Sequence, residues 1–309
     1  MRVGLIAADA THPVLAATAA LLTGAGHRVE TLDPAGPGAV PPPGPGALPS
    51  PGPAALPPPG PAALPPPGPE ALLPPGPPAD VYLLKARTPR ALALAARLEE
   101  RGVPVINSAA ATARCQDRVA MAALARAAGL PFARTRAVAT MAELAAAGQP
   151  AGPLVVKSRH SRRHDLVAHA DTAVRLRELA AQWPAEPVVV QDFTANSGWD
   201  HKLWVVDGRL FAGLRRSELA PDGRGPTLPL TAAELPESWR AAVLRVGEVF
   251  GLSVYGVDVL DAGGGAPLIV DINAFPGIRG QAGAPKALAE LALRTAARSE
   301  RTTSEMSTN

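Results

Sequence analysis

Two aspartates and an asparagine have the types and spacing of a metal-holding set. Asp258 lies in the apolar run VYGVDVL, Asp271 and Asn273 lie in PLIVDIN, and the DAGGGAP segment between them carries consecutive glycines. If the chain turns at those glycines, the two runs pair as antiparallel strands with Asp258 nearly opposite Asp271. Side chains alternate along a strand, so Asp271 and Asn273 share one face, and it is the face of Asp258. Two carboxylates and an amide oxygen then converge, and like charges so placed destabilise a fold unless a cation lies between them. An all-oxygen set suits magnesium or manganese, and magnesium favours few carboxylates together with nucleotide phosphates. The alternative, a pair of exposed strand-end charges, sits badly with the apolar character of both runs.

Other residues could contribute to chemistry on anions. Lys157 ends the apolar strand PLVVK, and a lysine there either points into a crevice of an open α/β sheet or snorkels to solvent. Gln191 and Asp192 end another apolar strand, VVVQDF, where a chain leaving a sheet can present its backbone amides to a purine. The stretch KSRHSRRHD places Lys157, Arg159, Arg162 and Arg163 close together without a glycine. Such a loop meets an anion through side-chain cations or is a solvated basic loop. His160 and His164 of the same loop can pair with phosphate when protonated. His12, His27, His169 and His201 lack metal-ligand spacing and read as structural, Cys115 reads as a spectator thiol, and no Ser-His-Asp or zinc motif stands out.

These residues need a scaffold, and the chain reads as alternating strands and helices. A strand at 2–8, a helix from Pro13 to Ala25 and a strand from His27 to Leu32 open it as β-α-β. The pattern resumes with a strand to Lys85, a helix from Pro89 to Arg101 and a strand to Ile106, so residues 1–106 form a parallel α/β domain. Between its halves, 34–79 is Pro-rich, holding 21 of the 36 prolines in repeats such as PGPAALPP at 51–58 and 59–66. Proline removes backbone donors, so this block is expected to be a disordered, extended insertion rather than sheet or helix. A long helix is expected from Thr112 to Ala128, then strands near 154–157, 166–170 and 187–193, with a helix at Thr172–Gln182. Asp207-Gly208 is a type I′ hairpin signal between Lys202–Val206 and Arg209–Arg215. A helix over Glu237–Phe250 precedes the Asp258/Asp271 hairpin, and a last helix near Pro285–Ala297 leads into a tail, 298–309, expected to be disordered.

Composition limits the classes. A net charge of +3 from 30 basic and 27 acidic residues is too small for a dedicated nucleic-acid binder. A single cysteine excludes an internal disulfide framework and fits a reducing compartment. Asp9, His12 and Pro13 interrupt the N-terminal apolar run, so a signal peptide and a membrane span are not expected there. The expectation is a soluble cytoplasmic protein with no membrane partner and no specific nucleic-acid partner. Self-association as a homo-oligomer stays open.

In order and spacing, these pieces resemble the ATP-grasp superfamily from about Asn107 to Gly280. The matching pieces are VVKS, VVVQDF, DHKLWVV, LRRSE and VDVL…VDINAFPG. The resemblance implies a mixed α/β fold: a pre-grasp domain (1–106), a grasp N-lobe (107–190) and a C-lobe with the metal site (191–297). It implies ATP and magnesium or manganese, two ions in the family, held by Asp258, Asp271 and Asn273. It places Arg118, Lys157, Arg159, Gln191, Asp192, Phe193 and Asp200 around the nucleotide, and Lys202, Arg215 and Arg216 at the transfer chemistry. Two departures stand out: the loop after Lys157 lacks the family's glycines, and CQDR carries Arg118 where relatives often have lysine. The layout and the CQDR segment look like RimK-type glutamate ligases, which join a carboxylate and an amine. The NAFPG ending and the HKLWVV…LRRSE hairpin lean towards inositol polyphosphate 5/6-kinases, which would take a polyphosphorylated acceptor. The ligase is the favoured reading, the kinase the runner-up, and a non-catalytic nucleotide-binding scaffold the third.

Overall fold

The computed structural model describes residues 1–34, 76–162, 164–217, 219, 225 and 227–307. Most of the expected Pro-rich insertion, 35–75, therefore lies outside the described residues, as does Arg163.

The first unit is β1 (Arg2–Ile6), α1 (Pro13–Gly24), β2 (Arg28–Leu32), β3 (Val81–Leu84), α2 (Pro89–Glu100) and β4 (Val105–Ile106). Its strands are parallel in the order β2-β1-β3-β4. Proline begins both helices, where its missing N–H is no loss, and the Thr88 hydroxyl accepts from the Ala91 N–H to cap α2. Alternation along β1 and β3 sends side chains to two faces. Val3, Leu5, Val81 and Leu83 pack with α1, whereas Ile6, Tyr82 and Leu84 pack with α2. The two helices thus lie on opposite sides of the sheet. Gly4 is required by this packing, because a Cβ there would lie 2.1 Å from the Tyr82 ring.

The single long helix expected from Thr112 is two helices, α3 (Ala109–Arg114) and α4 (Arg118–Ala127). Asp117 explains the break: its carboxylate accepts from the Val119 and Ala120 N–H groups, capping a new helix instead of continuing the old one. A small antiparallel sheet follows, made of β5 (Thr135–Val138), β6 (Leu154–Ser158), β7 (Val167–Ala170) and β8 (Val188–Asp192), ordered β5-β8-β6-β7. With α5 (Met141–Ala146) and α6 (Ala173–Gln182) it encloses its own core, including Met141, Val156, Leu176, Leu179 and Val190. The short β5 and α5 were not expected, since TRAV has neither clean alternation nor an apolar run.

The large sheet is antiparallel, ordered β11-β10-β9-β12-β13, from β9 (Trp199–Val206), β10 (Arg209–Arg216), β11 (Thr227–Leu230), β12 (Val254–Asp261) and β13 (Pro267–Ala274). The expected hairpin at Asp207-Gly208 has positive φ at both residues, 49° and 76°, as a type I′ turn requires. One face of the sheet, with Leu203, Val205, Val257 and Ile272, packs on α4 and on α7 (Glu237–Phe250). The other face, with Trp204, Val206, Val254 and Phe275, joins the core of the first unit and α8 (Ala284–Ser307). Asn107 ties the units further: its amide donates to the Val254 carbonyl and its oxygen accepts from the Ser253 and Val254 N–H groups.

The tail expected to be disordered from 298 is corrected here, because α8 continues through Ser307. The segment RSERTTSEMS contains neither glycine nor proline, so nothing in it stops a helix already anchored against α1.

Candidate functional site

The β12–β13 register places Asp258 directly opposite Asp271, as the glycine turn implied, and Gly256 opposite Asn273. A bulge after Asp258 leaves Val270 without a partner residue, so its carbonyl is free to face the small sheet. On the other side of β12, Lys202 of β9 is paired with Asp258. Lys202, Asp258 and Asp271 therefore stand abreast on three strands with side chains on one face.

The like charges are balanced within the protein. Lys202 Nζ lies 2.7 Å from Asp258 Oδ2 and 3.2 Å from Asp200 Oδ2. Arg118, almost fully buried, donates to Asp271 Oδ2 at 3.3 Å, to Asp165 Oδ2 at 2.7 Å and to the Ser158 carbonyl at 2.8 Å. The guanidinium fork thus joins α4, the basic loop and β13 at one point. Burial pushes the Asp271 carboxyl up, but Arg118, Lys157 and Lys202 outweigh it and hold it below the usual carboxylate range. Asp271 is therefore an anion, ready to accept a cation.

A cavity of about 420 Å³ opens between the small and large sheets. Lys157, Gln191, Asp192, Phe193, Asp200, Lys202, Arg216, Asp258 and Asp271 line it, so nine of the expected site residues meet there. Lys157 is 6% exposed and its Nζ donates to the Val270 carbonyl at 2.7 Å across the cavity. Burial lowers its pKa to about 8 despite the pull of Asp271. Its charge is thus held where few groups satisfy it, the condition for attracting an anion. Val155, Val167, Leu260 and Ala133 supply apolar walls near the Gln191–Phe193 segment, a setting for a flat ring.

Four expected site residues lie outside that lining. Arg118 stands behind Asp271 as its counter-ion. Arg159 forms a bidentate pair with Asp117, at 2.7 Å for its shortest contact. Arg215 of β10 is paired in register with Asp200 of β9. Asn273 accepts from Arg87 Nη1 of the first unit at 3.4 Å. The basic loop is largely committed to the protein itself, since Arg162 also binds Glu186 through both terminal nitrogens, at 2.7 and 2.8 Å. Sequence reasoning missed Asp165 and the Val270 carbonyl. Asp165 closes the very loop that was read, but its partner lies 47 positions away, a separation no local pattern encodes.

Among the described residues, no three or more His, Cys, Asp or Glu side chains group as a metal cluster. No helix among the described residues is long and apolar enough to cross a membrane.

Comparison with known proteins bears on the fold that carries this site. Residues 121–287 match the RimK-like ATP-grasp domain. A probable alpha-L-glutamate ligase of Thioalkalivibrio sulfidiphilus is 28% identical over 198 residues, covering 60% of this chain and 64% of that protein. A probable alpha-L-glutamate ligase of Pseudomonas fluorescens is 27% identical over 201 residues, with the same coverage of 60% and 64%. The matches thus span less than two thirds of those curated relatives' own lengths. Among solved structures, a RimK domain ATP-grasp protein of Sphaerobacter thermophilus has a TM-score of 0.65 at 21% identity, covering 95% of this chain and 100% of that one. The D-alanine–D-alanine ligase of Bacillus anthracis, solved with ATP, has a TM-score of 0.62 at 16% identity, covering 98% of this chain and 99% of that one. These likenesses extend over the first α/β unit as well as the two sheets and establish the fold. The domain match covers more than half of the residues, and the chain belongs to the RimK-like ATP-grasp family.

Proposed function

We propose that the protein is an ATP- and magnesium-dependent ligase that joins a carboxylate to an amine through an acyl phosphate. Family membership implies ATP and a divalent metal, and the ligase names of the relatives support the reaction class. The observation that carries the reading is the facing pair Asp258 and Asp271, set at the edge of a cavity that also holds Lys157 and the Gln191–Phe193 segment. The donor set fits magnesium: hard oxygens, two of them carboxylates, with Asn273 on the same face. Magnesium held there, as one ion or two, would offset charge on the transferring phosphoryl group.

The chain's own residues then position and neutralise. Gln191 to Phe193 would border the adenine, and Lys157 and Arg216 would face phosphate oxygens. Lys202 would stay beside the metal carboxylates, with Arg215 on the neighbouring strand. Arg118 would act on Asp271 rather than on the nucleotide. In the first step a carboxylate oxygen of the acid bonds to the γ-phosphorus while the bond from that phosphorus to the bridging oxygen breaks. ADP leaves with the electron pair. In the second step the amine nitrogen bonds to the acyl carbon, phosphate departs with the electrons of the C–O bond, and the nitrogen releases a proton. No protein nucleophile is needed, so catalysis rests on positioning and electrostatics.

Incubation with γ-labelled ATP, magnesium and a pool of small acids and amines tests this. Free labelled phosphate that appears only when acid and amine are both present supports the ligase. Label retained on an organic product would make the protein a kinase, and an absence of turnover with any acceptor would leave a nucleotide-binding scaffold. Asp258→Asn should abolish turnover in a folded protein, since Lys202 keeps Asp200 as a partner.

A further inference from the structure

A second concentration of charge lies beyond the metal carboxylates, on the first-unit side. Alternate residues of β13 and its continuation lead to it. Asp271 belongs to the proposed metal set, and Asn273 accepts from Arg87 at 3.4 Å. Lys85 Nζ lies over the Phe275 ring, 5.9 Å from its centroid. Gly277 is flanked by His12 and Arg279: a Cβ there would lie 2.9 Å from His12 Nε2 and 3.9 Å from Arg279 Nε. Three cationic side chains and a histidine thus gather where NAFPG meets the first unit.

The fold explains why they gather. In the order β2-β1-β3-β4 the chain leaves β1 towards β2 and leaves β3 towards β4, on opposite sides. Helices α1 and α2 accordingly pack on opposite faces of the sheet. The carboxyl ends of β1 and β3 therefore border the crevice where open α/β sheets take ligands. His12, immediately before α1, follows β1, and Lys85 and Arg87 follow β3. The Lys85 and Ala86 N–H groups both donate to the Ile6 carbonyl, fixing the two loops side by side.

Positive charge predominates there. Among the described residues, Lys85, Arg87 and Arg279 form no ion pair with a carboxylate. The neighbouring carboxylate is Asp9, whose Oδ1 accepts from the Thr11 N–H and hydroxyl and whose charge pulls on His12. Burial, then Arg87 and Arg279, lowers Lys85 to about 8, and burial, then Lys85 and Arg279, lowers His12 against the pull of Asp9. Natural folds rarely gather cations so closely unless an anion joins them.

We propose that His12, Lys85, Arg87 and Arg279 bind a second acidic group of the acid substrate, so that the acid activated at Asp258 and Asp271 is a dicarboxylate. The proposal rests on the ligase reading and names the substrate class for that site. Asn273 lies two residues from Asp271, about 7 Å along the strand, so an acid of a few carbons can span from the cluster to the reacting centre.

Calorimetric titration of the full chain, loaded with magnesium and a non-hydrolysable ATP analogue, tests it with glutarate, pentanoate and inorganic phosphate. Glutarate should bind at least about tenfold more tightly than pentanoate. Lys85→Met and Arg279→Gln should each weaken glutarate by about tenfold or more without changing analogue affinity, and Arg279→Lys should recover part of the loss. Thermal melts check folding, and the exposed Arg279 carries the test if the half-buried Lys85 variant unfolds. No glutarate binding, equal binding of diacid and monoacid, or unaltered glutarate binding in Arg279→Gln overturns the proposal. Preference for phosphate over glutarate also overturns it, in favour of a phosphorylated acceptor. Failure of the analogue to bind the unaltered protein would instead sink the ligase reading, and glutarate titration without nucleotide would still read the cluster.

Discussion

Replacing Lys157 by methionine should make the protein more stable while weakening its affinity for ATP. Methionine preserves the length and apolar stem of the side chain and removes only the ammonium. Burial depresses the Lys157 pKa from 10.5 to about 8, so at pH 7, below both values, the charged group opposes folding by about 3 kcal/mol. The substitution also leaves the Val270 carbonyl without its 2.7 Å donor, which costs about 1 kcal/mol or somewhat more. The net expectation is a gain of about 2 kcal/mol and a melting temperature a few degrees higher. The sign of the pH dependence follows from the depressed value. The penalty is complete below about pH 8, shrinks as the pH rises towards the unfolded value, and is gone above it. Urea unfolding at pH 7 and at about pH 10 should therefore show a large advantage for the variant at the lower pH and little or none at the higher. Calorimetry should show ATP affinity reduced by about tenfold to a hundredfold, the value of a charge-assisted contact to phosphate. In the unaltered protein that affinity should weaken as the pH rises through about 8 and the lysine loses its proton. A variant less stable at pH 7, or an advantage that grows with pH, would refute the argument that this lysine is held at the expense of the fold.

Arg118→Lys should destabilise by about 1–3 kcal/mol, because a single ammonium cannot hold Ser158, Asp165 and Asp271 together. Arg118→Met, which strips Asp165 of its buried partner and leaves Asp271 only the pull of Lys157 and Lys202, should cost about 3–5 kcal/mol, and urea unfolding reads both. Cys115 should resist iodoacetamide at pH 8 in the native state and react once unfolded, since burial and then Asp271 push its thiol up to about 12. Gly247→Ala should destabilise by about 1–3 kcal/mol in a thermal melt, because the new methyl would meet the Tyr255 hydroxyl at 2.7 Å, where that group already donates to the Val243 carbonyl.

The facing of Asp258 and Asp271 was legible because a hairpin is local. Three glycines with positive φ, at 103°, 62° and 77°, make the turn, and the turn fixes which aspartate faces which. The bulge at Val270 was not legible, although it frees the carbonyl that meets Lys157. The counter-ions were hidden for a related reason: Arg118 and Asp271 are 153 positions apart, and only the assembled lobes bring them together. The basic loop misled in the opposite direction. Its density of arginines suggested an anion, yet Arg159 and Arg162 are neutralised by Asp117 and Glu186 from segments 42 and 24 positions distant. The signal for the first-unit cations was split among the segment after β1, the end of β3 and the NAFPG continuation, so no single run displayed it.

The shared core beneath α8 decides which part of the molecule can move. The first unit, the large sheet and α8 are fused by one apolar interior, and α4 and α7 seal the other face of that sheet. The small sheet keeps its own interior. It meets the remainder through polar links: Lys157 to Val270, Arg118 to Ser158, Arg159 and Asp165, Arg159 to Asp117, Ser161 to Gln116, and the strand-like contact of Pro131 and Ala133 with Ile269. Hydrogen bonds of that kind reform in water more readily than a buried core reopens. A hinge there would let the small sheet swing as a rigid jaw to admit and release nucleotide. The Asp258/Asp271 pair and the cation cluster, both built on the fused body, would keep their spacing throughout, so the proposed acid could wait in register while the jaw cycles.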